Sequence, residues 1–192
     1  MKGTSLTTIS TADFKNGMGI QIDGKDYVIV SFQHVKPGKG GAFVRTKIKD
    51  IRTGRTNELT FNSGRKFEDV RIETQEMQYL YQDGDTYWFM DNDTYEQIPV
   101  AAELVGEQAQ FLKENDVCLM QYANGELYAV EPPMFIEVEI TETDPGFKGD
   151  TVQSGTKPAT IETGATIQVP MFLNVGDKIK VDTREGKYVS RV

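Results

Sequence analysis

Four times in this chain a β-rich run stops at a glycine preceded by Asp, Asn or Glu, and a second β-rich run follows. The pairs are Asp23-Gly24, Asp83-Gly84, Asn124-Gly125 and Glu185-Gly186. The flanking runs include Ile20-Gln21-Ile22 and Tyr27-Val28-Ile29-Val30, Tyr79-Leu80-Tyr81 and Tyr87-Trp88-Phe89-Met90, Val117-Cys118-Leu119-Met120 and Leu127-Tyr128-Ala129-Val130, and Lys178-Ile179-Lys180-Val181 and Tyr188-Val189. Glycine turns of this kind accept the positive φ that a tight hairpin demands, so each pattern predicts a β-hairpin. Between the first two, Phe43-Val44-Arg45-Thr46-Lys47-Ile48-Lys49 alternates apolar and polar residues, the pattern of a half-buried strand with a basic outer face. One helix is expected, with Val100, Leu104, Phe111 and Leu112 on a single face between Pro99 and Asn115-Asp116. Short strands, dense turns and almost no helix make the chain all-β, built from small barrels or sandwiches.

Charge divides the chain into blocks. The net charge of −8 over 192 residues argues against a nucleic-acid partner only if it is spread evenly. It is not. Residues 1–71 hold 13 basic and 7 acidic residues, 72–131 hold Lys113 against 13 acidic residues, and 132–192 hold 7 basic and 9 acidic. The blocks carry +6, −12 and −2. Such a chain can bring a basic head to a polyphosphate while an acidic middle limits wrong docking. A faint echo agrees with units of this size: Leu112, Asp116 and Gly125 recur as Leu173, Asp177 and Gly186, each 61 residues on. Three β-barrel domains are therefore expected at 1–71, 72–131 and 132–192, two of them packed together because units this small bury modest cores.

Candidate chemistry is sparse. His34 is the sole histidine, so no His pair or His–Cys cluster for a metal exists. Cys118 lies in an apolar run with no basic neighbour in sequence to lower its pKa, and reads as a core residue. A lone cysteine suits a reducing compartment. Acid pairs such as Asp83 and Asp85 fall in turns, and no glycine-rich run leads into a helix to cradle a phosphate. No catalytic residue, metal or cofactor is expected. No secretory segment follows Met1, and no apolar run nears the roughly 18 residues of a membrane span. A soluble, cytoplasmic monomer with no membrane partner is the expectation.

The unusual segment is Lys36-Pro37-Gly38-Lys39-Gly40-Gly41. Strands flank it, so it reads as a hairpin tip, with Pro37 stiffening the approach and the glycines permitting the reversal. Lys39 then stands at the apex without bulky neighbours. This suits a lysine that enters a narrow cleft or that a modifying enzyme must reach; an ordinary solvated turn is the plain alternative. Arg45, Lys47, Lys49, Arg52 and Arg55 follow as candidate phosphate contacts. A second turn-rich loop, Thr143-Asp144-Pro145-Gly146-Phe147-Lys148-Gly149-Asp150-Thr151, lies in the third block.

These residues, in this order, resemble bacterial translation elongation factor P. Four motifs carry the resemblance over essentially the whole chain: the Lys36–Gly40 tip, the Thr143–Thr151 loop, the spacing of Lys157-Pro158-Ala159 with Thr163-Gly164, Val169-Pro170 and Val175-Gly176, and the end from Asp182 to Arg191. The resemblance implies an SH3-like, KOW-type first domain and two OB-folds in an elongated L that mimics tRNA. It implies a factor that binds both ribosomal subunits between the peptidyl-tRNA and exit-tRNA sites and relieves stalling at consecutive prolines. By the same resemblance Lys39 reaches the peptidyl-transferase centre beside the CCA end of peptidyl-tRNA. Gly149, Asp150 and Thr151 approach the exit-site codon of the mRNA, and Tyr188 and Arg191 contact the small subunit or tRNA. Tip lysines in this family carry β-lysine or aminopentanol-type groups, so a Lys39-modifying enzyme is a further implied partner; the sequence leaves the group open, including none. The absence of a catalytic constellation fits, since proline is a rigid donor whose reaction is limited by alignment, and a positioning factor supplies that.

Two other classes compete. A biotinyl- or lipoyl-type carrier also presents a lysine at a hairpin tip, but its flanks are Met or Asp/Ala rather than glycines, and no pair of barrels need follow. A generic RNA-binding KOW/OB protein would have no use for the tip.

Overall fold

The structure is a computed structural model that describes residues 7–145 and 155–192. The strands are β1 (Thr8–Ser10), β2 (Gly19–Ile22), β3 (Lys25–Val35), β4 (Phe43–Asp50), β5 (Thr56–Asn62), β6 (Lys66–Val70), β7 (Ile72–Asp83), β8 (Thr86–Met90), β9 (Gln97–Ala101), β10 (Val117–Ala123), β11 (Glu126–Glu131), β12 (Phe135–Thr143), β13 (Thr156–Ile161), β14 (Thr166–Pro170), β15 (Lys178–Asp182) and β16 (Lys187–Arg191). They form a six-stranded sheet of order β1-β6-β2-β3-β4-β5 and two five-stranded sheets, β11-β10-β7-β8-β9 and β14-β13-β12-β15-β16. The all-β expectation holds, as does each of the four hairpins. At Asp23-Gly24 (φ 49° and 76°) and Asn124-Gly125 (φ 50° and 82°) both turn residues are left-handed, the conformation for which Asn/Asp-Gly is selected. Contacts divide the chain into two compact units, residues up to 74 with 121–128, and 75–120 with 129–192.

In the first unit the sheet wraps around Phe14, Ile20, Ile29, Val44, Ile48, Phe61 and Phe67, all buried. Three phenyl rings form its centre: Phe61 and Phe67 meet edge to face at 4.9 Å, and Phe14 lies 5.7 Å from Phe67. Along β4 the expected alternation appears: Val44, Thr46 and Ile48 point inward, and Arg45, Lys47 and Lys49 are exposed.

The two five-stranded sheets share one plan. Each runs from the last hairpin through the first strand of its domain to the second and third. The faint sequence echo proves to be a backbone repeat. Tyr79 N donates to Asp116 O (2.8 Å) and Asn115 N to Tyr79 O (2.8 Å); 61 residues on, Ile140 N donates to Asp177 O (2.9 Å) and Gly176 N to Ile140 O (2.9 Å). The left-handed position in this exchange is Asn115 (φ 72°) in one domain and Gly176 (φ 91°) in the other. Each first strand also bulges at the same place, between Tyr79 and Tyr81 and between Ile140 and Glu142.

The expected helix is corrected. Val100 belongs to β9, paired with Tyr87, and only Ala102–Val105 is α-helical. Gly106 at φ 63° ends that turn, and a 3-10 segment, Gly106–Phe111, follows. Val100, Leu104, Phe111 and Leu112 therefore share no face. Phe111 instead enters the core of the last domain with Ile136, Val138, Ile140, Ile161 and Leu173. Lys113, the one basic residue of the acidic block, donates from Nζ to Glu137 O (3.2 Å) and pairs with Glu162 Oε1 (3.4 Å). The expectation that two small barrels pack on each other is met by these two.

Candidate nucleic-acid interface

The tip is built by register. Past a bulge between Ile29 and Ser31, strands β3 and β4 stay paired up to Val35 opposite Phe43, which leaves residues 36–42 as the loop. Ser63 N donates to Ala42 O at 3.0 Å and ties the loop's base to the turn after β5. Gly40 takes φ 99°, a conformation that a side chain would strain. Lys36, Pro37, Gly38, Lys39, Gly40 and Gly41 are all exposed. A Cβ built on Gly38, Gly40 or Gly41 would meet nothing within 4 Å, so the tip stands clear of the domain. Lys39 makes no ion pair among the described residues.

The candidate phosphate contacts are spread rather than clustered at the tip. Arg45 stands nearest, its guanidinium 5.9 Å from the Phe43 ring. Lys47, opposite Glu58, and Lys49, opposite Thr56, follow on the same outer face of β4. Arg52 and Arg55 lie in the turn at the other end of the strand, roughly 25 Å from the tip's base at about 3.3 Å per residue. That turn is closed by Asp50, whose Oδ1 accepts from Arg52 N (2.8 Å) and Thr53 N (3.2 Å). The structure thus makes a basic strip along one strand, with the hairpin lysine at one end. Among the described residues none of these five side chains is engaged in an ion pair.

In the last domain Tyr188 is half-buried against the core, and Arg191 reaches Asp177 Oδ1 at 3.2 Å. That pair is largely exposed on the arginine side and holds the guanidinium only weakly. Gly149, Asp150 and Thr151 lie outside the described residues. Two functional candidates escape the sequence reading. One is Arg65, whose guanidinium sits 5.1 Å from the Phe61 ring centre and 5.0 Å from that of Phe67. The spacing of Phe61 and Phe67 does not mark it, since only the closed barrel brings both rings to its guanidinium. The other is Lys157, 3% exposed, whose ammonium donates to the carbonyls of Asp144 and Leu173.

Cys118 is 1% exposed, and burial, reinforced by Asp116, pushes its thiol up to about 12. The core reading of this residue stands. At pH 8 the thiolate fraction is then on the order of 10⁻⁴. Native protein should resist a thiol reagent at pH 8 and react with one equivalent only once unfolded in urea; rapid native labelling would contradict this. No group of three or more His, Cys, Asp or Glu among the described residues is arranged to hold a metal, and no helix there is long and apolar enough to cross a membrane.

Comparison with known proteins bears on the whole chain. Residues 10–67 match the elongation factor P KOW-like domain, 72–130 its OB domain and 136–191 the elongation factor P C-terminal domain. Over 184 residues the chain is 55% identical to elongation factor P of Caldanaerobacter subterraneus subsp. tengcongensis and 54% identical to that of a Thermoanaerobacter species. Each alignment covers 96% of this chain and all of the relative. Among solved structures, the translation initiation factor 5A from Methanococcus jannaschii superposes with a TM-score of 0.51 at 25% identity, over 67% of this chain and 96% of that one. The KOW-plus-two-OB architecture is thereby confirmed, and the chain belongs to the elongation factor P family.

Proposed function

We propose that this chain binds the ribosome between the peptidyl-tRNA and exit-tRNA sites and speeds peptide-bond formation at consecutive prolines by ordering the CCA end of peptidyl-tRNA with Lys39. As a member of its family it is a translation elongation factor and not an enzyme. The finer reading rests on one observation: Lys39 alone at an exposed glycine apex, at the end of a strand whose outer face is basic. A flexible ammonium on a narrow hairpin can reach into a cleft of RNA, and Arg45, Lys47 and Lys49 supply sequence-independent phosphate contacts that set its direction. The ribosome is the catalyst; the factor contributes alignment, which accounts for a large part of the barrier when a rigid donor must be oriented.

The chain works as three modules, 1–71, 72–131 and 132–192. The first faces the acceptor arm, and the acidic middle keeps its distance from rRNA. In the third, Gly149, Asp150 and Thr151 meet the exit-site codon, while Tyr188 and Arg191 touch the small subunit or tRNA. A Lys39-modifying enzyme is a candidate partner, and the intact mass of the native protein shows whether Lys39 carries a group and which one. The test of function is a reconstituted translation reaction on a message encoding three successive prolines. Adding the protein should clear the stalled peptidyl-tRNA and restore full-length product. An undiminished stall with modified, folded protein would overturn the reading.

A further inference from the structure

The end of the first barrel that carries the Lys39 hairpin is closed by Arg65. The turn that holds it is pinned on three sides: Arg65 N donates to Asn62 O (3.1 Å), Thr11 N donates to Arg65 O (3.1 Å), and Gly64 N donates to Thr11 Oγ1 (2.8 Å). The same turn is bonded to the hairpin's base through Ser63 and Ala42. Phe61 and Phe67 are core residues, 3% and 4% exposed, so the guanidinium lies on the rim of the core rather than along a strand face. Two ring faces hold it at about 5 Å, within cation–π range. Arg65 itself is exposed and has no carboxylate within ion-pair distance among the described residues.

A guanidinium placed this way has lost much of its rotamer freedom before any partner arrives, and its N–H fork has no anion to satisfy it. Its planar fork fits a phosphate bidentately. The surrounding block is basic, with 13 Lys and Arg against 7 Asp and Glu. We infer that Arg65 is a pre-organised phosphate contact on the tip side of the barrel, gripping the RNA backbone next to the strand that Lys39 addresses. With Arg45, held 5.9 Å from Phe43, it gives the hairpin two aromatic-supported guanidiniums near its base. This rests on the ribosome-binding reading above and adds to it a residue that fixes the angle at which the tip enters. A purely structural cap on the core is the competing role.

The test compares wild type, Arg65→Met and Arg65→Lys in binding to salt-washed ribosomes carrying peptidyl-tRNA, over a series of salt concentrations. Methionine keeps an apolar chain on the two rings and removes the charge. Arg65→Met is expected to bind about 5- to 10-fold more weakly at physiological salt, with the slope of log K against log [salt] smaller by about one. Arg65→Lys keeps the charge, so its slope should match wild type while its affinity falls two- to three-fold, in line with the lost bidentate fork. Wild-type affinity and slope in Arg65→Met, with or without a lower unfolding midpoint, would overturn the inference and leave Arg65 a structural cap. Wild-type protein that shows no salt-dependent ribosome binding would sink the ribosome-binding reading itself, a result distinct from the first.

Discussion

Lys39→Ala is expected to abolish the relief of proline stalling while shifting the unfolding free energy by no more than about 0.5 kcal/mol, the usual range for an exposed side chain without special contacts. The residue is exposed, makes no ion pair among the described residues and sits in a loop whose shape depends on Gly40 and the Ala42–Ser63 bond rather than on it. Its removal therefore costs nothing in the core. The functional loss should be large because positioning is a threshold effect: a displacement of about 1 Å in a reacting group can cost on the order of 10²-fold in rate. Lys39→Arg should also fail to restore full activity, since a planar guanidinium is neither a point charge nor a substrate for a lysine-modifying enzyme. Gly40→Val is the informative companion. At φ 99° a β-branched residue is strained, so the tip should be re-aimed with Lys39 still present, and stalling should return at least in part. The readouts are the rate of Pro–Pro bond formation in a reconstituted reaction and a urea unfolding curve for each variant. Full rescue by folded Lys39→Ala would refute the role of the tip.

What could be read from the amino acids, and what could not, follows from where each signal resides. Hairpins were legible because Asp-Gly and Asn-Gly answer a local backbone demand, and Asp23-Gly24 and Asn124-Gly125 adopt the paired positive φ values that demand implies. The basic strip was legible because period-2 alternation on β4 separates Val44, Thr46 and Ile48 from Arg45, Lys47 and Lys49. The helix failed where tertiary structure overrode periodicity: Val100 is drawn into a ladder opposite Tyr87, and Phe111 faces another domain's core. The repeat was nearly invisible because it is conserved in backbone bonds and φ rather than side chains. Tyr79 and Ile140 play one role, as do Asn115 and Gly176, and no identity marks either pair. Lys39 could be found as an apex lysine, but Arg65 could not, since its value comes from two rings that only the closed barrel brings to its guanidinium.

Loss of the Lys157 side chain should cost as much stability as truncation of a large core residue. Lys157 occupies an inward position of β13, in step with Ala159 and Ile161, where the pattern asks for an apolar side chain. Its cross-strand partner Val169 is fully buried. A lysine survives there because its ammonium reaches two main-chain carbonyls, those of Asp144 and Leu173, and so joins the end of β12 to the turn that follows β14. Hydrogen bonds from a charged donor contribute roughly 1.5–3 kcal/mol each, already net of desolvation. Lys157→Ala deletes both, orphans the two carbonyls and leaves a channel where three methylenes lay. The expected cost is about 3–5 kcal/mol, a large share of the 5–15 kcal/mol typical of a domain. Lys157→Met should be about 1–2 kcal/mol milder, because the thioether chain refills the channel while the carbonyls stay unpaired. Trp88 is the sole tryptophan and belongs to the same compact unit, so its fluorescence in urea reports the transition. An Ala variant within about 1 kcal/mol of wild type would mean that water satisfies both carbonyls at little cost. Equal losses for Ala and Met would mean that the stem contributes nothing to packing.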